Sequence, residues 1–167
     1  MPEADQPQAL TDDGPKERPA AGRLLSLDLG QSRVGVAVSD ELGITVRPLP
    51  AVRRSSWKEL LREVAKMLSS FDAKGLVIGL PLNMDGSEGE PAREARRLAR
   101  NFELSLAVPV YLQDERLTSR EAEAELYASG LKRSEVRALV DSAAAAIILR
   151  DFLSLPASRN LLETDKP

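Results

Sequence analysis

The sequence predicts an α/β domain built on a five-stranded mixed sheet, ordered βββαβαβαα along the chain, with helices on both faces. Three observations predict it. Three short apolar runs follow one another early in the chain, parted only by turn residues, as successive antiparallel strands would be. Leu76–Leu80 (LVIGL) is apolar without interruption, the pattern of a strand buried on both faces. Around and after it lie stretches whose apolar residues recur at helical spacing.

In chain order, the first strand is Leu24–Leu29 and the second Val34–Val38, joined by the turn-like Gly30-Gln31-Ser32. Ile44–Leu49 is the third. A helix follows over Ser56–Ser70, where Ser56 and Glu59 have capping-box spacing and Leu60, Leu61, Val64, Met67 and Leu68 line one face. After Leu76–Leu80 come a polar loop, Pro81–Glu90, and an Arg-rich helix over Pro91–Leu106 with proline in its first turn. Val108–Leu112 is the fifth strand. Thr118 and Glu121 open another helix, which Gly130 ends, and a last helix runs over Ser134–Leu155.

The Pro-, Ala- and acid-rich residues 1–22 show no apolar periodicity and read as a disordered acidic tail. Residues 23–155 form one domain, and residues 156–167 a flexible C-terminal tail. The chain of 167 residues is 43% apolar and 4% aromatic, so its core is aliphatic. No apolar run reaches the ~18–20 residues that span a bilayer, and the N-terminus lacks the apolar stretch of a secretory signal, so a cytoplasmic protein without a membrane partner is expected.

Two absences narrow the chemistry. Without cysteine there are no disulfides, thiolate nucleophiles or zinc knuckles. Without histidine there is no Ser-His-Asp hydrolysis and no imidazole acid–base catalysis. A bound metal must then be a hard cation held by oxygen, Mg²⁺ or Mn²⁺. The net charge of −3 arises in residues 1–22; residues 23–155 carry 19 charges of each sign, so a local basic cluster can still meet phosphates.

Three carboxylates stand in unusual places. Asp28 interrupts an apolar strand, where it needs a cation or hydrogen-bond donors; alternatively it sits at the strand end and caps the Gly30 turn. Glu115 follows the fifth strand, at the carboxyl end where open α/β sheets place their sites; alternatively it is a solvated loop charge paired with Arg116. Asp141 is the one charge in Ala138–Leu149 and shares a helical face with Ala145, Ile148 and Phe152; alternatively the helix breaks at Val140 and Asp141 caps a second one. If the three converge, they make an oxygen-lined pocket for one or two divalent cations. Such a pocket hydrolyses phosphodiesters without histidine, cysteine or lysine.

Four colinear motifs then carry a resemblance: SLDLGQSRVGVAVSD (26–40), VIGLPLNMDGSEG (77–89), DERLTSREAE (114–123) and VDSAAAAIIL (140–149). They resemble the YqgF/RuvX family, whose members are described as pre-16S ribosomal RNA nucleases or Holliday-junction-resolvase-like proteins. The resemblance implies a ribonuclease H-like fold and a divalent-metal-dependent nuclease in which Asp28, Glu115 and Asp141 bind Mg²⁺ or Mn²⁺. It implies 5′-end maturation of pre-16S ribosomal RNA as the task. The alternatives are a nuclease for branched DNA, which would need a homodimer, and a non-catalytic RNA- or ribosome-binding maturation factor. The fourth acidic residue of related resolvases has no counterpart one turn from Asp141, where Ala138 and Ala144 stand.

Contacts to nucleic acid are expected from Arg33, from Asn83 and Ser87 in a phosphate-cradling loop, and from Arg116 beside Glu115, placed to stabilise charge on the scissile phosphate. Lys132 and Arg133 add a small basic group near Asp141. Arg93, Arg96, Arg97 and Arg100 make a basic stripe on one helix, read either as a track for a phosphate backbone or as a solvated face paired with nearby glutamates.

Overall fold

The computed structural model describes Pro19, residues 21–115, Gly130 and residues 133–154, and of residues 133–141 the backbone alone. Five strands, β1 (Leu24–Leu29), β2 (Arg33–Ser39), β3 (Val46–Arg53), β4 (Gly75–Leu80) and β5 (Val110–Asp114), form one sheet in the order β3-β2-β1-β4-β5. β1, β2 and β3 are antiparallel neighbours, whereas β4 and β5 run parallel to β1. The mixed sheet is the one expected, and its carboxyl edge gathers the ends of β1, β4 and β5.

Helices α1 (Trp57–Ser70) and α2 (Glu90–Ser105) cover one face, and α3 (Arg133–Ser154) covers the other. Alternation along each strand sorts the side chains. Leu25, Leu27, Val34, Val36, Val38, Leu76, Ile78 and Leu80 pack with Leu60, Val64 and Leu68 of α1 and with Ala95, Ala99 and Phe102 of α2. Each large aliphatic side chain so buried contributes about 1.5–3 kcal/mol. Toward α3 the sheet presents smaller residues, including Ser26 and Ala37, with Leu24, Val77 and Tyr111 packed on Ile148, Leu149 and Phe152.

Small residues let α3 lie close to the sheet. Ser26 Oγ donates to the Ala145 carbonyl at 2.7 Å, and the Val36 amide donates to Ser142 Oγ at 3.3 Å. Positions 142–149 are buried throughout, as a helix apolar nearly all round requires. α3 also runs unbroken through Val140 and Asp141, so Asp141 does not cap a second helix.

Some strand limits differ from those expected. β3 starts two residues later than Ile44 and runs on through Pro48 and Pro50. As the edge strand it tolerates residues without an N–H, and its register with β2 shifts between Val34 and Val36. β5 begins at Val110 because Pro109 has no amide to give; its carbonyl still accepts from Leu76 N, and the strand continues to Asp114. The Ser56 cap forms as expected, its Oγ accepting from Glu59 N at 3.2 Å. The helix expected from Thr118 lies outside the described residues, as do both chain ends; Gly130 has φ +77°, the conformation of a helix-ending glycine. Among the described residues no helix is long and apolar enough to cross a membrane.

Candidate active site

Asp28 pairs with Gly35 of β2 one pair before the turn-side end of the β1–β2 ladder, within the strand and two residues ahead of Gly30. It stands two residues after Ser26 and therefore on the α3 face. Glu115 follows β5 directly, and its amide donates to the Leu80 carbonyl at 3.2 Å, which binds the end of β5 to the end of β4. The carboxylate does not stand out in solvent: its Oε2 is fully buried.

Glu115 turns inward over β4 because Gly79 leaves room for it. A Cβ on Gly79 would collide with Glu115 Oε2 and lie 2.7 Å from Ile148 Cδ1. The glutamate thus crosses a neighbouring strand to reach Asp28. Burial, then the Asp28 charge and a side-chain hydrogen bond with Asp28, then the Asp114 charge, push the Glu115 carboxyl up to about 9. At neutral pH Glu115 holds a proton and donates it to the Asp28 carboxylate.

Asp141, the third carboxylate expected from the sequence, has its backbone in α3. Because Val36 pairs with Leu27, stepping back along the helix from Ala145 to Ser142 moves from the level of Ser26 to that of Leu27. Position 141 is the next in that direction, toward Asp28. It also falls in one helical row with Ala145, Ile148 and Phe152, all buried against the sheet. Among the described residues no three acidic side chains gather at one point; the described pair is Asp28 and Glu115.

The hairpin turn beside Asp28 is held rigidly. Gly30 N donates to Arg33 O at 2.9 Å, and a Cβ on Gly30 would lie 2.6 Å from that oxygen. Arg54, the residue after β3, grips the same turn: its amide donates to Ser32 O at 2.9 Å and its Nη1 to Gly30 O at 2.8 Å, while Nη2 pairs with Glu94 of α2 at 2.5 Å. Arg33 is exposed.

Asn83 and Ser87 bind one another within the loop after β4. Asn83 Nδ2 donates to Ser87 Oγ at 3.0 Å, and Asp85 Oδ1 accepts from Ser87 N at 2.8 Å. Of the basic stripe on α2, Arg93 and Arg97 pair with Glu90 and Arg96 with Glu88, which is the solvated, salt-bridged face. Arg116 and Lys132 lie outside the described residues, as do the side chains of Arg133 and Asp141.

Sequence reasoning did not single out Gly79, Asp114 or Arg54. The first had a signal: a glycine inside an otherwise aliphatic strand marks close approach of another group. Arg54 had none, since nothing local to a basic residue after a strand foretells a grip on a distant turn.

A family model described as "RuvX: Holliday junction resolvase" matches residues 22–155. The chain belongs to the RuvX family. With that membership it is a nuclease, and its mixed sheet is ribonuclease H-like. A relative from Anaeromyxobacter sp. (strain K), named "Putative pre-16S rRNA nuclease", is 47% identical over 131 residues, which are 78% of this chain and 96% of the relative. A relative of the same name from Syntrophus aciditrophicus (strain SB) is 42% identical over 131 residues, 78% of this chain and 87% of its own. Among solved structures, T. thermophilus RuvC in complex with Holliday junction substrate has a TM-score of 0.48 at 18% identity, covering 76% of this chain and 91% of its own. The RuvX match spans every strand described above.

Proposed function

We propose that this RuvX protein hydrolyses phosphodiester bonds of pre-16S ribosomal RNA in 5′-end maturation, with Asp28, Glu115 and Asp141 as its metal-holding and catalytic carboxylates. The observation that carries this reading is the Asp28–Glu115 pair: two carboxylates drawn together at the carboxyl edge of the sheet, one partly and one deeply desolvated. Such a pair ionises fully only beside a cation, and an all-oxygen donor set suits Mg²⁺ or Mn²⁺. The residues fit a divalent cation on that ground, with Asp141 of α3 completing the set.

When bound, the cation supplies Lewis-acid stabilisation of charge on the phosphate and lowers the pKa of water. The chain's own residues do the rest. Asp28, fixed in a strand, and Glu115, fixed over Gly79, hold their oxygens in place without reorganisation. To serve as a ligand, Glu115 would give up its proton. The pinned Gly30–Arg33 turn and the self-bonded Asn83–Ser87 loop flank the site, and Arg33, Arg116, Lys132 and Arg133 supply positive charge to the polyanion.

The test is cleavage. Asp28→Asn and Asp141→Asn should each abolish Mn²⁺-dependent cleavage of a pre-16S 5′ leader RNA while circular dichroism and melting temperature stay close to wild type. Turnover retained by either purified variant sinks the assignment.

The RuvX description favours a second reading, resolution of four-way DNA junctions. It requires a symmetric dimer that presents two sites to two strands. Paired, symmetric nicks in a junction and a dimer by sedimentation on junction DNA would establish it; a monomer that leaves the junction intact would exclude it.

A further inference from the structure

Arg33 and Arg53 stand directly opposite each other across the β2–β3 ladder. Opposed strand residues share a face, with Cβ atoms about 4.5–5.5 Å apart, and like charges so placed destabilise the pair. Both arginines are exposed, and neither has an acidic partner among the described residues. Their neighbour Arg54 differs: its guanidinium is spent on Gly30 O and Glu94.

The face they share is the face of the active site. Asp28 pairs with Gly35, and Arg33 lies two residues before Gly35 at the start of β2, about 6.8 Å toward the turn by strand rise. The alternate residues, Val34 and Val52, go to the opposite side, into the core under α1 and α2. The platform is fixed by the Gly30–Arg33 hydrogen bond and by the Arg54 grip on the turn. Two unspent guanidiniums therefore project from a rigid ladder beside the carboxylates, in an arrangement that repels itself until an anion lies between them.

We propose that Arg33 and Arg53 together clamp a backbone phosphate of the nucleic-acid strand whose neighbouring phosphodiester lies at Asp28 and Glu115. The clamp rests on the nuclease reading and deepens it by giving the bound strand a direction, from the carboxylates toward the β1–β2 turn and the β3 edge. Arginine forks suit a phosphate, and each phosphate neutralised adds to the salt dependence of binding.

The experiment measures affinity of a fluorescent single-stranded RNA in Ca²⁺ as a function of salt, for wild type, Arg33→Gln, Arg53→Gln, the double variant and Lys66→Gln, an exposed residue of α1 with the same charge change. Arg53→Gln should weaken binding about 5–10-fold at low salt and lower the slope of log K against log salt by about 0.7. The double variant should lose less than the product of the two single losses, because one guanidinium alone holds the phosphate poorly. Lys66→Gln should bind as wild type does, and a melting temperature of Arg53→Gln at or above wild type shows that lost affinity is not lost fold. An unchanged slope in Arg53→Gln, an equal loss in Lys66→Gln, or a wild type whose RNA binding ignores salt overturns the clamp. Cleavage of the same RNA by wild type in Mn²⁺ reports separately on the nuclease reading, so the two can fail independently.

Discussion

Glu115 occupies the space that a side chain at Gly79 would fill. The glutamate leaves the end of β5, crosses above the backbone of β4 and meets Asp28 on β1. The meeting of the two carboxylates depends on a missing methyl group as much as on the acids themselves.

Gly79→Ala tests that dependence. The new Cβ would strike Glu115 Oε2 and press on Ile148, so the carboxylate has to move. Overpacking of this kind costs about 1–3 kcal/mol. We expect denaturant melts to show that loss, and calorimetric titration to show Mn²⁺ affinity at least about tenfold weaker. Affinity equal to wild type would mean that Glu115 takes no part in holding the ion.

The stability of the metal-free protein should fall as pH rises. The Glu115 carboxyl is raised from 4.5 to about 9, so between those values the folded chain keeps a proton that the unfolded chain has lost. Stability declines wherever the native state binds more protons, here by at most about 1.4 kcal/mol per pH unit, levelling off above the folded value. Urea melts in EDTA across this range should show the decline in wild type and not in Glu115→Gln. Parallel curves for the two proteins would contradict the assignment of the proton.

Mn²⁺ binding near pH 7 should release close to one proton, because the protonated Glu115 must ionise to become a ligand. Titration calorimetry in two buffers of different ionisation enthalpy counts that proton. Glu115→Gln should release none, and a wild type that releases none would place the ion elsewhere.

The seat of α3 should control the third carboxylate. Ala145 packs against Ala37, and its carbonyl accepts from Ser26 Oγ. Ala145→Leu should cost about 1–3 kcal/mol by overpacking, lift the helix from the sheet and weaken Mn²⁺ binding together with cleavage. Ser26→Ala should cost about 1 kcal/mol and leave cleavage nearly intact, since only one hydrogen bond is lost. A folded Ala145→Leu protein with wild-type metal affinity would show that the helix position does not govern the site.

How much could be read in advance differs from residue to residue. Asp28 and Asp141 were conspicuous because a charge in an apolar strand or helix has a desolvation cost that demands a reason. Glu115 was legible only as a position at a strand end; its burial was not, because a loop residue's surroundings come from other strands. The two arginines Arg33 and Arg53 lie 20 positions apart in the chain, and no local pattern announces that they face one another.

By itself the sequence determined the elements and their faces: the buried run of β4, the capped start of α1, the small-residue helix that ends the domain. These follow from side-chain periodicity and local hydrogen bonding, which act over a few residues. Only the tertiary structure decided that β4 lies between β1 and β5, that Gly79 yields its space to Glu115, and that β2 and β3 pair in the register that sets Arg33 against Arg53. Strand order and register are fixed by pairing between distant segments, and that non-local choice brings one carboxylate within reach of another.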